Sequence, residues 1–327
     1  MTASPQALLE VKNLSIEFLH RKGNLQAIHE LTLSMQPGEI LGMVGESGAG
    51  KSLTGAAIAG LLQSPGRIRA GEIWFANRRI DNLDEEARRL LRGKAIGCIF
   101  QDPLTSLNPV LTIGQQLIET IRTHLPLSAN EARERAVSLL TEVGINSPRQ
   151  RIDQYPHQLS GGMRQRVVIA LALCVDPQLV IADEPTTALD VSVQAQVLGV
   201  LRRLCEQHGT AVMLITHDMG VVAEVCSRVA VMYAGRIVET GPIAQVVRHP
   251  QHPYTRGLIQ SIPSMSERRE YLAQIDGAMP RLNALPQGCA FHSRCLHASA
   301  QCRDHQPKMQ QRHQAELACF HPQGEPL

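Results

Sequence analysis

Residues 45–52 read Gly45-Glu46-Ser47-Gly48-Ala49-Gly50-Lys51-Ser52, the form G-x-x-x-x-G-K-S, directly after the apolar run Ile40-Leu41-Gly42-Met43-Val44. The glycines allow backbone angles that turn successive N–H groups toward phosphate oxygens, while Lys51 adds a cation and the Ser52 hydroxyl a ligand for Mg²⁺. A helix that opens at about Lys51 points its positive dipole end at the same charge. A Gly/Ser-rich turn is the alternative, which the preceding strand and the helical pattern over 53–62 disfavour. The stretch predicts a nucleotide-phosphate site in an α/β fold.

A second segment, residues 179–184, is an apolar strand that ends in two carboxylates, Asp183 and Glu184. In this layout Asp183 orients Mg²⁺ through water, and Glu184 polarises the water that attacks the phosphate. Carboxylates at the end of a buried strand are costly unless a cation is supplied. The segment therefore predicts hydrolysis that depends on Mg²⁺.

Further polar steps occur at helix starts and strand ends. Residues 159–165 read Leu159-Ser160-Gly161-Gly162-Met163-Arg164-Gln165 and open an apolar helix over about 167–174. The amides of such a helix start could meet phosphate, although Ser160 is also typical of an ordinary N-cap. Ala188-Leu189-Asp190 follows the acidic pair, and the apolar strand 211–215 leads into Thr216-His217-Asp218, where a lone histidine is more often structural.

In this order the motifs resemble those of the ATP-binding subunit of an ABC transporter, a P-loop NTPase with a helical signature subdomain. The resemblance implies a Walker A loop over Gly45, Glu46, Ser47, Gly48, Ala49, Gly50, Lys51, Ser52 and Leu53, a Q-loop at Gln101, a signature that includes Ser160, Gly161, Gly162 and Gln165, a Walker B pair at Asp183 and Glu184, a D-loop over Ala188-Leu189-Asp190, and a switch histidine at His217. It also implies that Ser52, Gln101 and Asp183 hold Mg²⁺. Lys51, Glu184 and His217 are then the catalytic residues.

The same resemblance implies that ATP is sandwiched between two such domains. In that family the signature of one domain contacts the γ-phosphate held by the Walker A loop of another, so one domain cannot complete a site alone. Phe18, at the end of the first predicted strand, matches the aromatic residue that stacks on adenine. A phenylalanine in a strand is equally typical of the core.

The composition favours a soluble enzyme subunit. Of 327 residues, 43% are hydrophobic, which is enough for one large domain and a smaller one. Basic and acidic residues nearly cancel (32 against 30) and aromatics are 3%, so no nucleic-acid partner is indicated. No secretory signal and no run of about 18 apolar residues occurs. We expect a cytosolic protein whose membrane contact comes through partners.

Apolar patterning predicts a nucleotide-binding domain over 1–245 and a C-terminal extension over 246–327. Short β segments are predicted around the phosphate loop, at 8–11, 28–35, 40–44 and 72–76. The pattern from 83 to about 142 is helical, which predicts a helical subdomain over about 83–165 that carries the signature. Helices and strands then alternate to about 245 and end in a hairpin of 229–233 and 236–239.

The cysteines fall into two sets. The first lies in apolar contexts and is predicted to be buried: Cys98, Cys174, Cys205 and Cys226. The second reads C-x5-C-x6-C-x16-C in a segment with few apolar runs: Cys289, Cys295, Cys302 and Cys319. A segment with so little core usually needs a cross-link. Disulfides are disfavoured in the cytosol. Zinc is possible because His292, His297 and His305 lie nearby in sequence, but the C-x(2–4)-C pairs usual for structural zinc sites are absent. Four thiolates without a close pair also suit a [4Fe–4S] cluster. Spacing alone leaves the cluster, zinc and unligated thiols open.

The runs His252-Pro253-Tyr254-Thr255-Arg256-Gly257-Leu258, Gly288-Cys289-Ala290-Phe291 and Arg294-Cys295 resemble the extension of the dipeptide/oligopeptide/nickel branch of ABC importers. The resemblance implies a [4Fe–4S] cluster on Cys289, Cys295, Cys302 and Cys319. We expect this cluster to be structural. It would fasten the segment from about residue 280 onto itself, away from a distant phosphate loop.

The resemblance also implies an assembly at the cytoplasmic face of the plasma membrane. Its partners are a second homologous ATPase subunit, two membrane permeases and, indirectly, an extracytoplasmic solute-binding protein. The Q-loop region over 101–109 transmits closure to a permease helix. Peptides are the favoured cargo, with nickel, opines or glycans as alternatives.

Other ABC ATPases fit the chain less well. Those of DNA repair and chromosome maintenance place a long coiled coil or a zinc insertion between phosphate loop and signature, whereas residues 52–160 carry no sustained heptads. Translation-associated factors need two nucleotide-binding domains in one chain, and this sequence has one phosphate loop of that form. The sequence therefore favours a transporter ATPase.

Overall fold

The structure is a computed structural model that describes residues 6–21, 23–186, 190–262 and 274–324. Its chain forms two compact units. The first is built from the described parts of Met1–Met35, Leu41–Asp81 and Ile215–Leu327, and the second from Gln36–Ile40 and the described part of Asn82–Leu214.

The elements follow one another along the chain with strands and helices interleaved. The strands are β1 (Leu9–Phe18), β2 (Leu25–Met35), β3 (Ile40–Val44), β4 (Gly66–Phe75), β5 (Arg78–Arg79), β6 (Ile96–Ile99), β7 (Leu179–Asp183), β8 (Ala211–Thr216), β9 (Arg228–Tyr233), β10 (Arg236–Pro242), β11 (Gln310–Arg312) and β12 (Ala315–Leu317). The helices are α1 (Lys51–Ile58), α2 (Glu85–Leu91), α3 (Pro103–Ser106), α4 (Ile113–His124), α5 (Ala129–Glu142), α6 (Pro148–Arg151), α7 (Gly161–Leu173), α8 (Val191–His208), α9 (Met219–Val225), α10 (Ile243–Arg248), α11 (Pro253–Gln260) and α12 (Ala300–Asp304). Short 3₁₀ turns lie at Pro156–Gln158, Leu282–Ala284 and His292–Arg294.

The first unit carries an antiparallel sheet in the order β2-β1-β4-β5 and a run of strands in the order β11-β12-β10-β9-β3. Strand β3 runs parallel to β9, with Val44 opposite Val231. Leu41, Met43 and Val44 are fully buried, as expected of a parallel strand covered on both faces. The phosphate loop therefore starts at the carboxyl end of a rigid, buried strand.

The C-terminal segment adds strands to this run. Strand β12 pairs antiparallel with β10, placing Leu317 opposite Glu239, and β11 pairs with β12. Ala315 and Leu317 are buried. The expectation named only a cross-link within the segment from about residue 280, and the structure adds this pairing with β10. Strands of three residues are too short to show a periodic pattern, so the sequence did not reveal this pairing.

The second unit carries strands β7 and β6, the first four residues of β8, and helices α2 to α8, with the strands in the order β8-β7-β6. Strand β6 is parallel to β7, with Ile96 opposite Leu179. It interrupts the stretch 83–142 that was predicted to be helical, and that part of the prediction is wrong. Ile96-Gly97-Cys98-Ile99 is a four-residue apolar run, whose periodicity cannot distinguish strand from helix.

The helices of the second unit begin at residues suited to capping. Thr112 and Gln115 form a reciprocal capping box at α4, and Ser128 and Glu131 form another at α5. In the part of the chain that the structure describes, every helix is too short or too polar to cross a bilayer.

The cysteines of the α/β elements behave as small apolar residues. Cys174, Cys205 and Cys226 are buried, and burial raises the pKa of each thiol to about 12. Cys98 is half-buried, and burial raises its pKa to about 11. The prediction of burial is therefore confirmed for Cys174, Cys205 and Cys226, while Cys98 is only half-buried.

The pairing of β12 can be tested with two leucines of the same segment. Leu317 is 3% exposed, whereas Leu296 is 95% exposed. We expect Leu317→Ala to lower the free energy of unfolding by about 2–5 kcal/mol, since it leaves a cavity beside β10. Leu296→Ala should stay within about 0.5 kcal/mol of the parent. Urea denaturation measures both, and equal effects would contradict the described pairing.

Candidate functional site

The phosphate loop connects β3 to α1, and two of its glycines have no room for a side chain. A Cβ at Gly45 would lie 2.2 Å from the carbonyl oxygen of Met232, and one at Gly50 would lie 2.5 Å from Cδ1 of Ile28. Gly50 also caps α1 at φ 100°, in the left-handed region. The loop can therefore fold tightly against β9 and β2 only with glycine at these positions.

Lys51 lies across the loop. Lys51 is only 5% exposed. Its ammonium Nζ donates to the carbonyl oxygens of Gly45 at 2.8 Å and Glu46 at 3.0 Å. Ser52 is exposed in the first turn of α1. A cation and a helix N-terminus thus share one glycine-rich turn, and this set of residues fits a nucleotide phosphate with Mg²⁺.

The outer side of the loop is held by other parts of the first unit. The Gly235 N–H donates to the carbonyl oxygen of Ala49 at 2.9 Å. The Glu46 N–H donates to the Tyr254 hydroxyl at 2.8 Å, and both carboxylate oxygens of Glu46 accept from Nη1 of Arg294 at 3.0 Å. Sequence reasoning assigned no supporting role to these partners. The His-Pro-Tyr run was the one signal for Tyr254.

Tyr254 is itself set by a buried polar network. The carboxylate of Glu239, which is 0% exposed, accepts from the N–H groups of Gln251 at 2.9 Å and His252 at 3.0 Å. Nδ1 of His252 then accepts from the Tyr254 N–H at 3.1 Å. Burial raises the pKa of Glu239, and burial lowers that of His252 to about 3. The network fixes the start of α11 and with it the Tyr254 ring.

An aromatic cluster surrounds the inner face of this support. The ring centroid of Tyr233 lies 4.7 Å from that of Tyr254 and 5.2 Å from that of Phe291, both edge-on. The Arg294 guanidinium carbon lies 5.8 Å from the Tyr233 centroid and 5.9 Å from the Phe291 centroid. Burial opposes the charge of Arg294, but hydrogen bonds to Tyr233 and Glu46 outweigh it and raise its pKa. The guanidinium is thus held as a cation beneath the loop.

The acidic pair lies in the second unit. Asp183 ends β7, and Glu184 follows at φ 46°, a left-handed conformation that is uncommon outside glycine. Nε2 of Gln101 donates to Oε2 of Glu184 at 2.9 Å. The structure therefore brings Gln101 and Glu184 together, and it fixes the direction of the Glu184 carboxylate.

The signature segment and Asp190 also lie in the second unit. The Ser160 hydroxyl accepts from the Met163 N–H at 3.4 Å and caps α7, while the Asp190 carboxylate accepts from the Val193 N–H at 3.0 Å and caps α8. A Cβ at Gly162 would lie 2.6 Å from Val193, so the two helix starts are close together. Gln165 is 1% exposed. Ala188 and Leu189 lie outside the described residues.

Two further predicted residues, His217 and Phe18, lie in the first unit. His217 is exposed directly after β8, and the neighbouring Asp218 carboxylate caps α9 by accepting from the Gly220 N–H at 2.8 Å. Phe18 is half-buried at the end of β1, where a Cβ at Gly66 would lie 3.2 Å from its ring.

The four C-terminal cysteines occupy one neighbourhood. Burial raises the pKa of Cys319 to about 11, with further contributions from Cys289, Cys295 and Cys302. The His321 N–H donates to Sγ of Cys319 at 3.4 Å. The Cys289 N–H donates to the carbonyl oxygen of Cys302 at 2.8 Å. The N–H donor to the sulfur of Cys319 is compatible with a thiolate-bound metal group, whereas the raised pKa of Cys319 favours the protonated thiol.

The thiols nevertheless do not converge on one point. Within residues 6–21, 23–186, 190–262 and 274–324, no three His, Cys, Asp or Glu side chains are close enough together to hold a metal ion. In the part of the chain that the structure describes, the cysteine side chains as they stand do not form the coordination shell of a metal group.

Comparisons with known proteins agree with this geometry. Residues 28–187 match the family model described as ABC transporter, and residues 238–302 match the one described as oligopeptide/dipeptide transporter, C-terminal region. The chain is 44% identical to a dipeptide transport ATP-binding protein of Haemophilus influenzae, over 98% of each chain. It belongs to the ABC transporter ATP-binding proteins.

This ABC ATPase also resembles a second curated relative and a solved structure. It is 48% identical to an oligopeptide transport ATP-binding protein of Bacillus subtilis, over 92% of the chain and 85% of that relative. The dimeric ATP-binding cassette MJ0796, in a post-hydrolysis state with ADP and phosphate, aligns with TM-score 0.65 and 28% identity, covering 72% of this chain and 98% of its own. The expected P-loop α/β fold of ABC type is confirmed.

The buried His252 predicts a pH dependence of stability. In the unfolded chain the pKa of His252 is near 6.5, and in the folded chain it is about 3. At pH values between these two, the unfolded state binds a proton that the folded state does not. Stability should therefore fall as the pH falls below about 6.5, approaching about 1.4 kcal/mol per pH unit from this residue.

The variant His252→Asn separates this effect from others. Its side-chain oxygen can still accept from the Tyr254 N–H, but it carries no titrating ring. Urea denaturation at about pH 7 and about pH 5.5 should show a smaller loss for the variant than for the parent. His29, whose pKa burial lowers to about 4, titrates equally in both proteins. Exposed His305→Asn is the control, and an unchanged slope in His252→Asn would rule out this assignment.

Proposed function

We propose that this ABC ATPase hydrolyses ATP to power an importer of dipeptides or oligopeptides. The observation that carries the proposal is the contact between the phosphate loop and the C-terminal extension. Both lie in the first unit, and the Glu46 N–H of the loop donates to the hydroxyl of Tyr254 in the extension. That extension matches the oligopeptide/dipeptide transporter family, and the relatives' names mention dipeptide and oligopeptide transport. Import of nickel, opines or another small solute is the alternative for the same machinery.

The catalytic roles follow from the chemistry of the residues. Lys51 and the loop amides bind the phosphates, and Ser52, Gln101 and Asp183 are the residues that hold Mg²⁺, which neutralises phosphate charge when bound. Glu184 orients the attacking water, with Gln101 as its hydrogen-bond partner at 2.9 Å. His217 contacts the γ-phosphate, and Phe18 stacks on adenine.

The assembly completes the site. Residues 1–245 act as the nucleotide-binding domain, with a helical subdomain over about 83–165, and 246–327 as the extension. Ser160, Gly161, Gly162 and Asp190 serve the phosphate loop of a second, homologous ATPase subunit. Gln165 was predicted to join them, but it is 1% exposed and is left out of this set. Closure is passed through residues 101–109 to two permeases at the cytoplasmic face of the membrane, which receive cargo from an extracytoplasmic binding protein.

The four C-terminal cysteines are proposed to ligate a [4Fe–4S] cluster. Support comes from the N–H donor of His321 to the sulfur of Cys319 and from the backbone bond that joins Cys289 to Cys302. Zinc is the alternative. It is disfavoured by the absence of close cysteine pairs in the sequence, and Nδ1 of His292 lies 2.9 Å from the carbonyl oxygen of Cys289 instead. The cluster would supply a cross-link for a segment with few apolar residues.

The role of Glu184 is tested by Glu184→Gln in the assembled complex. The amide is nearly isosteric with the carboxylate but lacks its charge, so ATP binding should persist while hydrolysis falls about 100-fold or more. Steady-state phosphate release measures the loss, with the partner's site silenced in parallel.

The control is Lys51→Ala, which should weaken ATP binding itself by about tenfold or more, since it removes a charge-assisted contact. Near-normal turnover in Glu184→Gln would refute its role, and unaltered binding in Lys51→Ala would refute the assignment of the phosphate loop.

The metal site is tested by single Cys→Ser changes at Cys289, Cys295, Cys302 and Cys319. Each should lose iron and acid-labile sulfide together, because each removes one ligand of a single cluster. Cys98→Ser, in the second unit, should retain both. Anaerobically purified protein with stoichiometric zinc and no labile sulfide would refute the cluster.

A further inference from the structure

We propose that the four-cysteine segment sets the affinity of the phosphate loop for nucleotide, with Arg294 as the residue that positions Glu46. The inference rests on the proposed function of that loop as an ATP site. It assigns the extension a regulatory part in nucleotide binding, in addition to any part in transport.

Glu46 is anchored through both its backbone and its side chain. Its N–H donates to Tyr254, its carbonyl oxygen accepts from Lys51, and its carboxylate accepts from Arg294. A shift of Glu46 therefore also moves a hydrogen-bond acceptor of the Lys51 ammonium. Because loop amides and this cation must point at the same oxygens, such a shift lowers phosphate affinity.

Arg294 is held in one orientation. Its side chain is 5% exposed, its Nε donates to the carbonyl oxygen of Asp276 at 2.8 Å, and its Nη2 donates to that of Ile275 at 3.1 Å. With Nη1 on the Glu46 carboxylate, each of its nitrogens has an acceptor. A guanidinium held this way transmits the position of its own backbone to its partner.

The backbone of Arg294 belongs to the cysteine segment. It closes the 3₁₀ turn His292–Arg294, in which the His292 N–H donates to the Cys289 carbonyl oxygen at 3.0 Å and the Cys295 N–H donates to the His292 carbonyl oxygen at 3.3 Å. The turn thus connects Cys289 to Cys295, and a change in how these thiols are held moves Arg294.

This contact overturns the expectation that the phosphate loop is distant from the segment. Glu46 and Arg294 are 248 residues apart in sequence but form an ion pair. Loss of order around the cysteines should therefore weaken nucleotide binding, rather than leave it unchanged.

The test measures the dissociation constant of a fluorescent ATP analogue with Mg²⁺ on the full chain. Arg294→Gln should bind about tenfold more weakly or worse, the scale for losing a hydrogen bond to a charged group. The matched control is Arg303→Gln. Arg303 is exposed and adjoins Cys302 as Arg294 adjoins Cys295, and this variant should bind as the parent does.

Glu46→Ala separates positioning from charge, and it keeps the test valid if Arg294→Gln fails to fold. Removing a negative charge beside a site for a polyanion should tighten binding on electrostatic grounds alone. If the carboxylate is an anchor, binding weakens instead. Tighter or unchanged binding in Glu46→Ala would overturn the proposal.

A double variant shows whether the segment acts through Arg294. Cys295→Ser should weaken binding, and Cys295→Ser combined with Arg294→Gln should bind no more weakly than Arg294→Gln alone. Effects that multiply would show that the cysteine acts by general destabilisation and would overturn the proposal. The proposed function itself fails under two other outcomes: the parent binds no nucleotide, or Lys51→Ala binds nucleotide with the same dissociation constant as the parent.

Discussion

A loop that turns its amides and a lysine toward a ligand must be held from the other side. Here the Gly235 N–H holds the Ala49 carbonyl, and the Tyr254 hydroxyl and the Arg294 guanidinium hold Glu46. Each of these three contacts comes from a residue that follows β9 in the chain. The chain therefore completes the back of its phosphate loop with residues far downstream in sequence.

The residues that hold the back of the phosphate loop form an aromatic group and a polar group, and the C-terminal extension that contributes to both has few large apolar residues. Tyr233, Tyr254 and Phe291 form the aromatic part, and Glu239 with His252 forms the polar part. Buried polar networks stabilise one arrangement only when their members are satisfied, since an unpaired buried group is costly. The contacts of Glu239 and His252 meet this requirement, which explains how few apolar side chains suffice to place Tyr254.

The parts predictable from sequence are those whose signal is local. The phosphate loop, the strand ending at Asp183 and the cap at Ser160 each depend on neighbouring residues, and the structure has them where the patterns predicted. Strand β6 and the pairing of β12 were missed because short strands lack a period. The support by Arg294 was missed for another reason. It depends on an ion pair across 248 residues, and a single sequence contains no such information.

Strand β11 stands at the edge in the order of the described strands of the first unit, and its residues Gln310, Gln311 and Arg312 are all exposed. A short polar strand at an edge discourages pairing with another sheet. The next strands inward are β12 and then β10, which carries the buried Ile237 and Val238. A chain shortened before Gln310 would leave β10 as the edge strand with Ile237 and Val238 in it, and an uncovered edge of this kind favours pairing with another chain.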